Sequence, residues 1–302
     1  MKNDILSEIA ELKKRRQAVI LAHNYTLPEV QDAADFTGDS LELSLKARDV
    51  KSPCIVFCGV SFMAETAKIL APASTVINPA PEAGCRMADM VSAEAVRKYK
   101  AEHPDTVLVA YVNTTAAVKA EVDICCTSAN ADRVVASIPK DKKIMFLPDC
   151  NLGSNISRSL GRPMELWPGY CPIHHEITSA HLAAARKLHA GATVFVHPEC
   201  PPATVAAADR ALSTGGMLRF VKNSEAKEFI VGTEYGIIHR LEKENPGKKF
   251  HELDPRPRCA DMKLVTLEKI RDALRDGKPE VVLPADLMDR ARRAIERMLE
   301  IR

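Results

Sequence analysis

Six short apolar runs punctuate the chain: QAVILAH (17–23), CIVFCGV (54–60), TVLVAYV (106–112), KKIMFLPD (142–149), ATVFVHPE (192–199) and EFIVGT (228–233). They are unbroken rather than alternating, so both faces of each expected strand lie in a core. Amphipathic stretches stand between them, among them LELSLKARDV (41–50), AEAVRKYKAEH (93–103), ITSAHLAAARKLHA (177–190) and YGIIHRLEKEN (235–245). Buried strands separated by helices predict an α/β fold with parallel sheets.

A long period runs through this pattern. His23, Tyr111 and His197 each close or follow an apolar run and lie 88 and 86 residues apart. Ser40, Ser128 and Thr214 each open a helical stretch, again 88 and 86 apart. Cys85, Cys171 and Cys259 each follow a proline-containing loop (NPAPEAGC, LWPGYC and LDPRPRC), 86 and 88 apart. Three kinds of position repeating in one order indicate a triplicated unit of roughly 87 residues. The expectation is three similar αβα lobes around a pseudo-threefold axis, at 1–84, 85–170 and 171–259, with C-terminal helices (260–302) packing back on the first. In parallel sheets ligands bind beyond the C-terminal strand ends. Equivalent loops therefore predict one central active site.

Composition narrows the class without naming the chemistry. The 302 residues carry a net charge of +2, with 46% hydrophobic and 27% charged residues. Neither a nucleic-acid footprint nor a membrane span is expected. Acidic residues interrupt the N-terminus and AVILA is too short for a signal-peptide core, so the expected location is cytoplasmic. In a reducing compartment, patterned cysteines point to metal binding or catalysis rather than disulfides.

Of nine cysteines, only Cys85, Cys171 and Cys259 are equivalent in the repeat. Cys54 and Cys58 follow a strand pattern, Cys125 and Cys126 are adjacent, and Cys150 and Cys200 follow strand ends without a third counterpart. Three convergent thiolates suit zinc or an iron–sulfur cluster, and spacing alone leaves both open. Ser40, Ser128 and Thr214 sit where helix N-caps belong, and three convergent helix N-termini would attract carboxylate or phosphate. His23 with Tyr25, Tyr111 with Asn113, and His197 with Glu199 stand at i and i+2, on one side of an extended chain. They are candidates for proton transfer. His174, three residues after Cys171, joins the expected site.

These residues lie within segments that together resemble the quinolinate synthase family: AHNY (22–25), DFTGDSLELS (35–44), GVSFMAETAKIL (59–70), GCRMADM (84–90), YVNT (111–114), LPDCNLG (147–153), PGYCPIH (168–174), VHPEC (196–200), STGGM (213–217), FIVGTEYGIIHRL (229–241) and CADMKLVTLEKI (259–270). The resemblance implies a [4Fe-4S] cluster held by Cys85, Cys171 and Cys259, with one iron open to substrate. It implies condensation of iminoaspartate with dihydroxyacetone phosphate to quinolinate, with loss of phosphate and two waters, on the route to NAD. Functional coupling to an L-aspartate oxidase or aspartate dehydrogenase goes with that reaction. Carried onto this chain, Glu199 is the main acid or base, and His23, Tyr25, Tyr111 and His197 move or orient protons. Ser40, Asn113, Ser128, His174, Ser213 and Thr214 hold carboxylate or phosphate. Two departures stand out. Arg86 replaces a proline common after the first ligand, and Cys259 lacks the neighbouring cysteines of some relatives. A three-cysteine zinc hydrolase and a metabolite-binding module are the alternative readings of the same residues.

Overall fold

The six apolar runs become the paired middle strands of three separate sheets in the computed structural model, which describes residues 2–301. The first unit contains α1 (Lys2–Arg16), β1 (Ala18–His23), α2 (Pro28–Ala33), β2 (Phe36–Gly38), α3 (Ser40–Asp49), β3 (Cys54–Cys58), α4 (Ser61–Leu70) and β4 (Thr75–Ile77). The second contains α5 (Ala93–Glu102), β5 (Thr106–Tyr111), α6 (Ala116–Lys119), β6 (Ile124–Cys126), α7 (Ala131–Ser137), β7 (Lys143–Leu147), α8 (Cys150–Leu160) and β8 (Glu165–Leu166). The third contains α9 (Pro172–His175), α10 (Ser179–Leu188), β9 (Thr193–Val196), α11 (Pro202–Ala207), β10 (Arg210–Ala211), α12 (Thr214–Asn223), β11 (Glu228–Gly232), α13 (Ile237–Glu244) and β12 (Lys249–Glu252). Two helices follow, α14 (Leu267–Asp276) and α15 (Ala285–Glu300).

Each sheet is four-stranded and wholly parallel, with its second strand outermost beside the first and its third strand on the first strand's other side. The chain reverses its direction of winding between the first and third strands, and that switch point is where α/β sheets open a ligand crevice. His23 and Tyr111 end β1 and β5, and His197 directly follows β9.

A further repeat ties the sheets together. Asp35, Asp123 and Asp209 lie 88 and 86 residues apart. Through Oδ2 each accepts a backbone N–H from the central strand, of Ile20 at 2.8 Å, Leu108 at 2.9 Å and Val194 at 2.7 Å. Through Oδ1 each pairs with a cation from the preceding helix: Lys13 at 2.6 Å, Lys100 at 2.8 Å and Arg186 at 2.9 Å. The same device at the same place in three sheets is what a triplicated unit leaves behind.

Buried apolar side chains of the first sheet continue without a break into Phe195, Phe229 and Val231 on one face of the third. The second sheet has its own core around Val109, Phe146 and Leu147. Helix α14 lies on α1, where Arg16 donates to the carbonyls of Leu274 and Arg275 at its end. Helix α15 corrects the expectation that all of 260–302 returns to the first lobe. It packs mainly on α6 and β6 of the second, touching α4 as well, because its apolar stripe of Ala291, Ala294, Ile295 and Met298 completes the second core. Among the described residues no helix is long and apolar enough to cross a membrane.

Candidate active site

Loops from all three units meet at a cavity of about 220 Å³. This is smaller than most ligand pockets, which span roughly 300–1,000 Å³, and suits small metabolites. Its wall contains Cys85, Cys171 and Cys259 together with His23, Tyr25, Ser40, Tyr111, Asn113, Ser128, His174, His197, Glu199 and Thr214. Cys150 and Cys200, which also follow strand ends, are not on this wall, and Cys54, Cys58, Cys125 and Cys126 are buried along strands.

The three cysteines share one local design. Each opens a turn of helix: the short 3-10 turn at Ala88–Met90, α9, and the 3-10 turn at Asp261–Lys263. In each case the backbone N–H three residues on, of Ala88, His174 and Met262, donates toward the sulfur. Burial pushes the Cys85 thiol up to about 12 and raises Cys171 and Cys259 as well. These thiols shed their protons when a cation takes the sulfur. Soft donors from the loops after three sheets, each with an amide aimed at its sulfur, fit an iron–sulfur cluster bound by three thiolates.

Glu199 lines the same cavity, 3% exposed. The phenol of Tyr111 donates to its Oε1, and His174 Nδ1 lies 2.6 Å from its Oε2. A carboxylate can only accept, so His174 carries its proton on Nδ1. In the neutral imidazole His174 Nε2, 2.8 Å from Thr233 Oγ1, accepts from that hydroxyl. Tyr25 Oη is 2.5 Å from the same Thr233 oxygen, so the phenol donates to it. One hydrogen-bonded line thus runs Tyr25–Thr233–His174–Glu199–Tyr111, starting in the first unit and ending in the second. Burial works against the charge on Glu199. His197 and His174, with hydrogen bonds from His174 and Tyr111, outweigh it and hold the carboxyl below its usual range. Burial raises the Tyr25 and Tyr111 phenols, which stay protonated.

His23 and His197 repeat a second device. Each Nδ1 accepts the backbone N–H two residues on, from Tyr25 at 3.2 Å and Glu199 at 3.3 Å. That fixes the proton on Nε2, which in His197 donates to Ser128 Oγ at 3.2 Å. Burial pushes both imidazoles down to about 3, so both are neutral at physiological pH.

The hydroxyls differ from expectation. Ser40 and Thr214 are the first helical residues, and the caps are their predecessors. Asp39 accepts from Glu42 N at 2.9 Å, and Ser213 Oγ accepts from Gly216 N at 3.2 Å. Ser128 caps nothing, since α7 starts three residues later. With the capping done by Asp39 and Ser213, the hydroxyl residues Ser40, Ser128 and Thr214 are left on the cavity wall. Ser213 is absent from this wall. Its hydroxyl donates to Asp39 Oδ2 at 3.4 Å, and it faces a neighbouring hollow of about 420 Å³. The expected trio of free helix N-termini is also corrected: Asp39 already serves the N-terminus of α3 and receives the Gly215 N–H of α12.

Among the described residues, Asn113 Oδ1 is buried without a hydrogen-bond partner on the cavity wall. A buried acceptor left open in this way awaits a ligand donor. Thr233, Asp39, Arg86 and Arg258 lie outside the sequence-based expectation of the site. The two arginines line the cavity and directly flank Cys85 and Cys259. Adjacency to the thiols is a legible signal for them. Thr233 ends an apolar run without repeat partners and gives none.

The profile of the family described as Quinolinate synthetase A protein matches residues 7–300. A quinolinate synthase of Desulforudis audaxviator is 51% identical over 99% of both chains. One of Methanoregula boonei is 51% identical over 97% of both. One of Thermus thermophilus is 48% identical over 98% of this chain and 97% of its own.

Proposed function

The chain belongs to the quinolinate synthetase A family, and from that membership we propose that it condenses iminoaspartate with dihydroxyacetone phosphate to quinolinate, releasing phosphate and two waters. The observation that carries this reading is the meeting of three equivalent cysteines, each from the loop after one sheet, in one cavity with an ionised, hydrogen-bonded Glu199.

Cys85, Cys171 and Cys259 would hold a [4Fe-4S] cluster, which when bound supplies a Lewis-acidic iron to a substrate oxygen or nitrogen. The protein's own groups do the proton work. Glu199, ionised and ordered by Tyr111 and His174, takes a proton from a substrate carbon or nitrogen. The Tyr25 phenol, which burial keeps protonated, gives one to a departing hydroxyl and is restored from the proton that Glu199 has taken, with Thr233 and His174 linking the two groups. Neutral His23 orients substrate through Nε2–H, while the Nε2–H of His197 orients the Ser128 hydroxyl. Ser40, Ser128, Thr214 and the open oxygen of Asn113 offer contacts to carboxylate, phosphate or amine groups, with Arg86 and Arg258 supplying positive charge. Iminoaspartate comes from oxidation of aspartate, so an aspartate oxidase or dehydrogenase is the natural supplier.

A second reading has one observation in its favour. Single ligand atoms of Cys171, His174 and Glu199 lie within 4.8 Å of one another, a set that suits zinc. Anaerobically reconstituted protein supplied with both substrates separates the two. Quinolinate formation that depends on iron and sulfide supports the synthase. A zinc-loaded protein without quinolinate formation overturns it.

A further inference from the structure

The three cysteine loops are anchored unequally. Asp149 and Glu234 occupy matching places, each the second residue beyond the third strand of its sheet. Each accepts the backbone N–H of the cysteine in the loop that follows its sheet, Asp149 Oδ2 from Cys171 and Glu234 Oε1 from Cys259, both at 3.2 Å. The first lobe has Val60 at this place and no carboxylate. Its loop is held instead by Ser61, whose N and Oγ both donate to Ala83 O at 2.8 Å, and by Asp261 Oδ1, which accepts from Gly84 N at 3.2 Å. Asp261 stands two residues past Cys259, so the first loop leans partly on the third.

The third anchor reaches further. Glu234 Oε2 accepts from Gly236 N at 2.8 Å, and Lys263 Nζ stands 2.9 Å from Glu234 Oε1 and 3.0 Å from Oε2. Lys263 also donates to the carbonyl of Tyr25, in the first lobe, at 2.5 Å. Both side chains are buried, Glu234 at 1% and Lys263 at 8% exposure. Nothing larger than glycine fits beside them. A Cβ on Gly236 would lie 2.8 Å from Glu234 Oε2, 2.8 Å from Lys263 Nζ and 2.9 Å from Tyr25 O.

We propose that Glu234 and Lys263 are positioning residues that bind the Cys259 loop and the Tyr25 turn into one rigid piece, and through Asp261 steady the Cys85 loop. The inference rests on the cluster reading of the three cysteines. Groups that order metal ligands from behind affect metal retention by roughly 10–100-fold when removed.

The test is release of iron to a chelator, under anaerobic conditions, from reconstituted wild type, the double variant Glu234→Gln/Lys263→Met, and Gly236→Ala. The double variant removes both charges together and so avoids a lone buried charge, which would endanger folding. Gly236→Ala crowds the pair and leaves every charge in place. Both are expected to release iron about tenfold faster or more than wild type. A surface control, Glu225→Gln, is expected to match wild type. Melting of each metal-free variant, followed by far-UV circular dichroism, separates loosened ligands from global unfolding. Release from both variants at the wild-type rate overturns the inference alone. A wild type that takes up no cluster overturns the proposed function, and this inference with it.

Discussion

His174 Nδ1 lies 2.6 Å from Glu199 Oε2, and that contact fixes the direction of every proton from Tyr25 to Tyr111. The imidazole must donate to the carboxylate, and in its neutral form its other nitrogen accepts from Thr233. Breaking the line at either end has different consequences. Glu199→Gln removes the proposed base and is expected to lower kcat by roughly 10²–10⁴. Thr233→Val keeps the shape and removes the hydroxyl between Tyr25 and His174, so kcat falls with KM little changed. Thr233→Ser restores it. Steady-state kinetics on the three variants check this, and wild-type kcat in Thr233→Val would contradict the line.

The neutral imidazoles give a pH dependence of stability with a definite sign. His23 and His197 titrate near 6.5 when unfolded and, pushed down by burial, at about 3 when folded. Between those values the unfolded chain binds protons that the folded one refuses. Their contribution is therefore complete above about pH 6.5 and is lost as pH falls from there toward about 3. Glu199, also depressed, adds to the loss below its ordinary range. Denaturant melts of the metal-free protein should lose about 1.4 kcal/mol per pH unit for each imidazole in the steep region. His23→Gln should remove about one imidazole's share of that slope.

The open oxygen of Asn113 predicts a binding role. A substrate donor that pairs with it is worth about 1–3 kcal/mol, the range for satisfying a buried polar group. Asn113→Ala is therefore expected to lower kcat/KM by roughly ten- to a hundredfold. Asn113→Asp should lower it further for anionic substrates. Initial rates over a substrate series decide this.

Asp39 predicts a structural effect. Its side chain caps α3, and the Glu42 carboxylate returns to Asp39 N at 3.0 Å. Asp39→Ala should cost about 1 kcal/mol from the cap, and more because Ser213 and Gly215 lose their acceptor. Asp39→Asn should recover most of the cap. Thermal melts measure both.

The middle strands were legible because parallel strands buried on both faces must be apolar throughout, as CIVFC at β3 and EFIVG at β11 are. The edge strands escaped notice for the opposite reason. β8 and β10 are two residues long, and Glu165, Arg210 and Ala211 are exposed. The period exposed the cysteines, the strand-end pairs and the hydroxyl positions, since triplication copies positions whatever their task. It could not say which hydroxyl caps a helix, because Asp39–Ser40 and Ser213–Thr214 are adjacent and only backbone geometry chooses between them. Nor could it reveal Thr233 or the Glu234–Lys263 pair, which reach Tyr25 in the first lobe and whose counterparts in the repeat are different residues. The placement of α15 depended on which core lacked a cover, a property of packing rather than of its own amphipathic pattern.

The central claim is that Cys85, Cys171 and Cys259 hold one iron–sulfur cluster. The most direct measurement is iron, sulfide and zinc content after anaerobic purification of wild type and Cys171→Ala. Wild type is expected to carry about four irons and four sulfides per chain, as a cubane cluster requires, and the variant to lose them. Stoichiometric zinc, or the same iron content in both proteins, would contradict it.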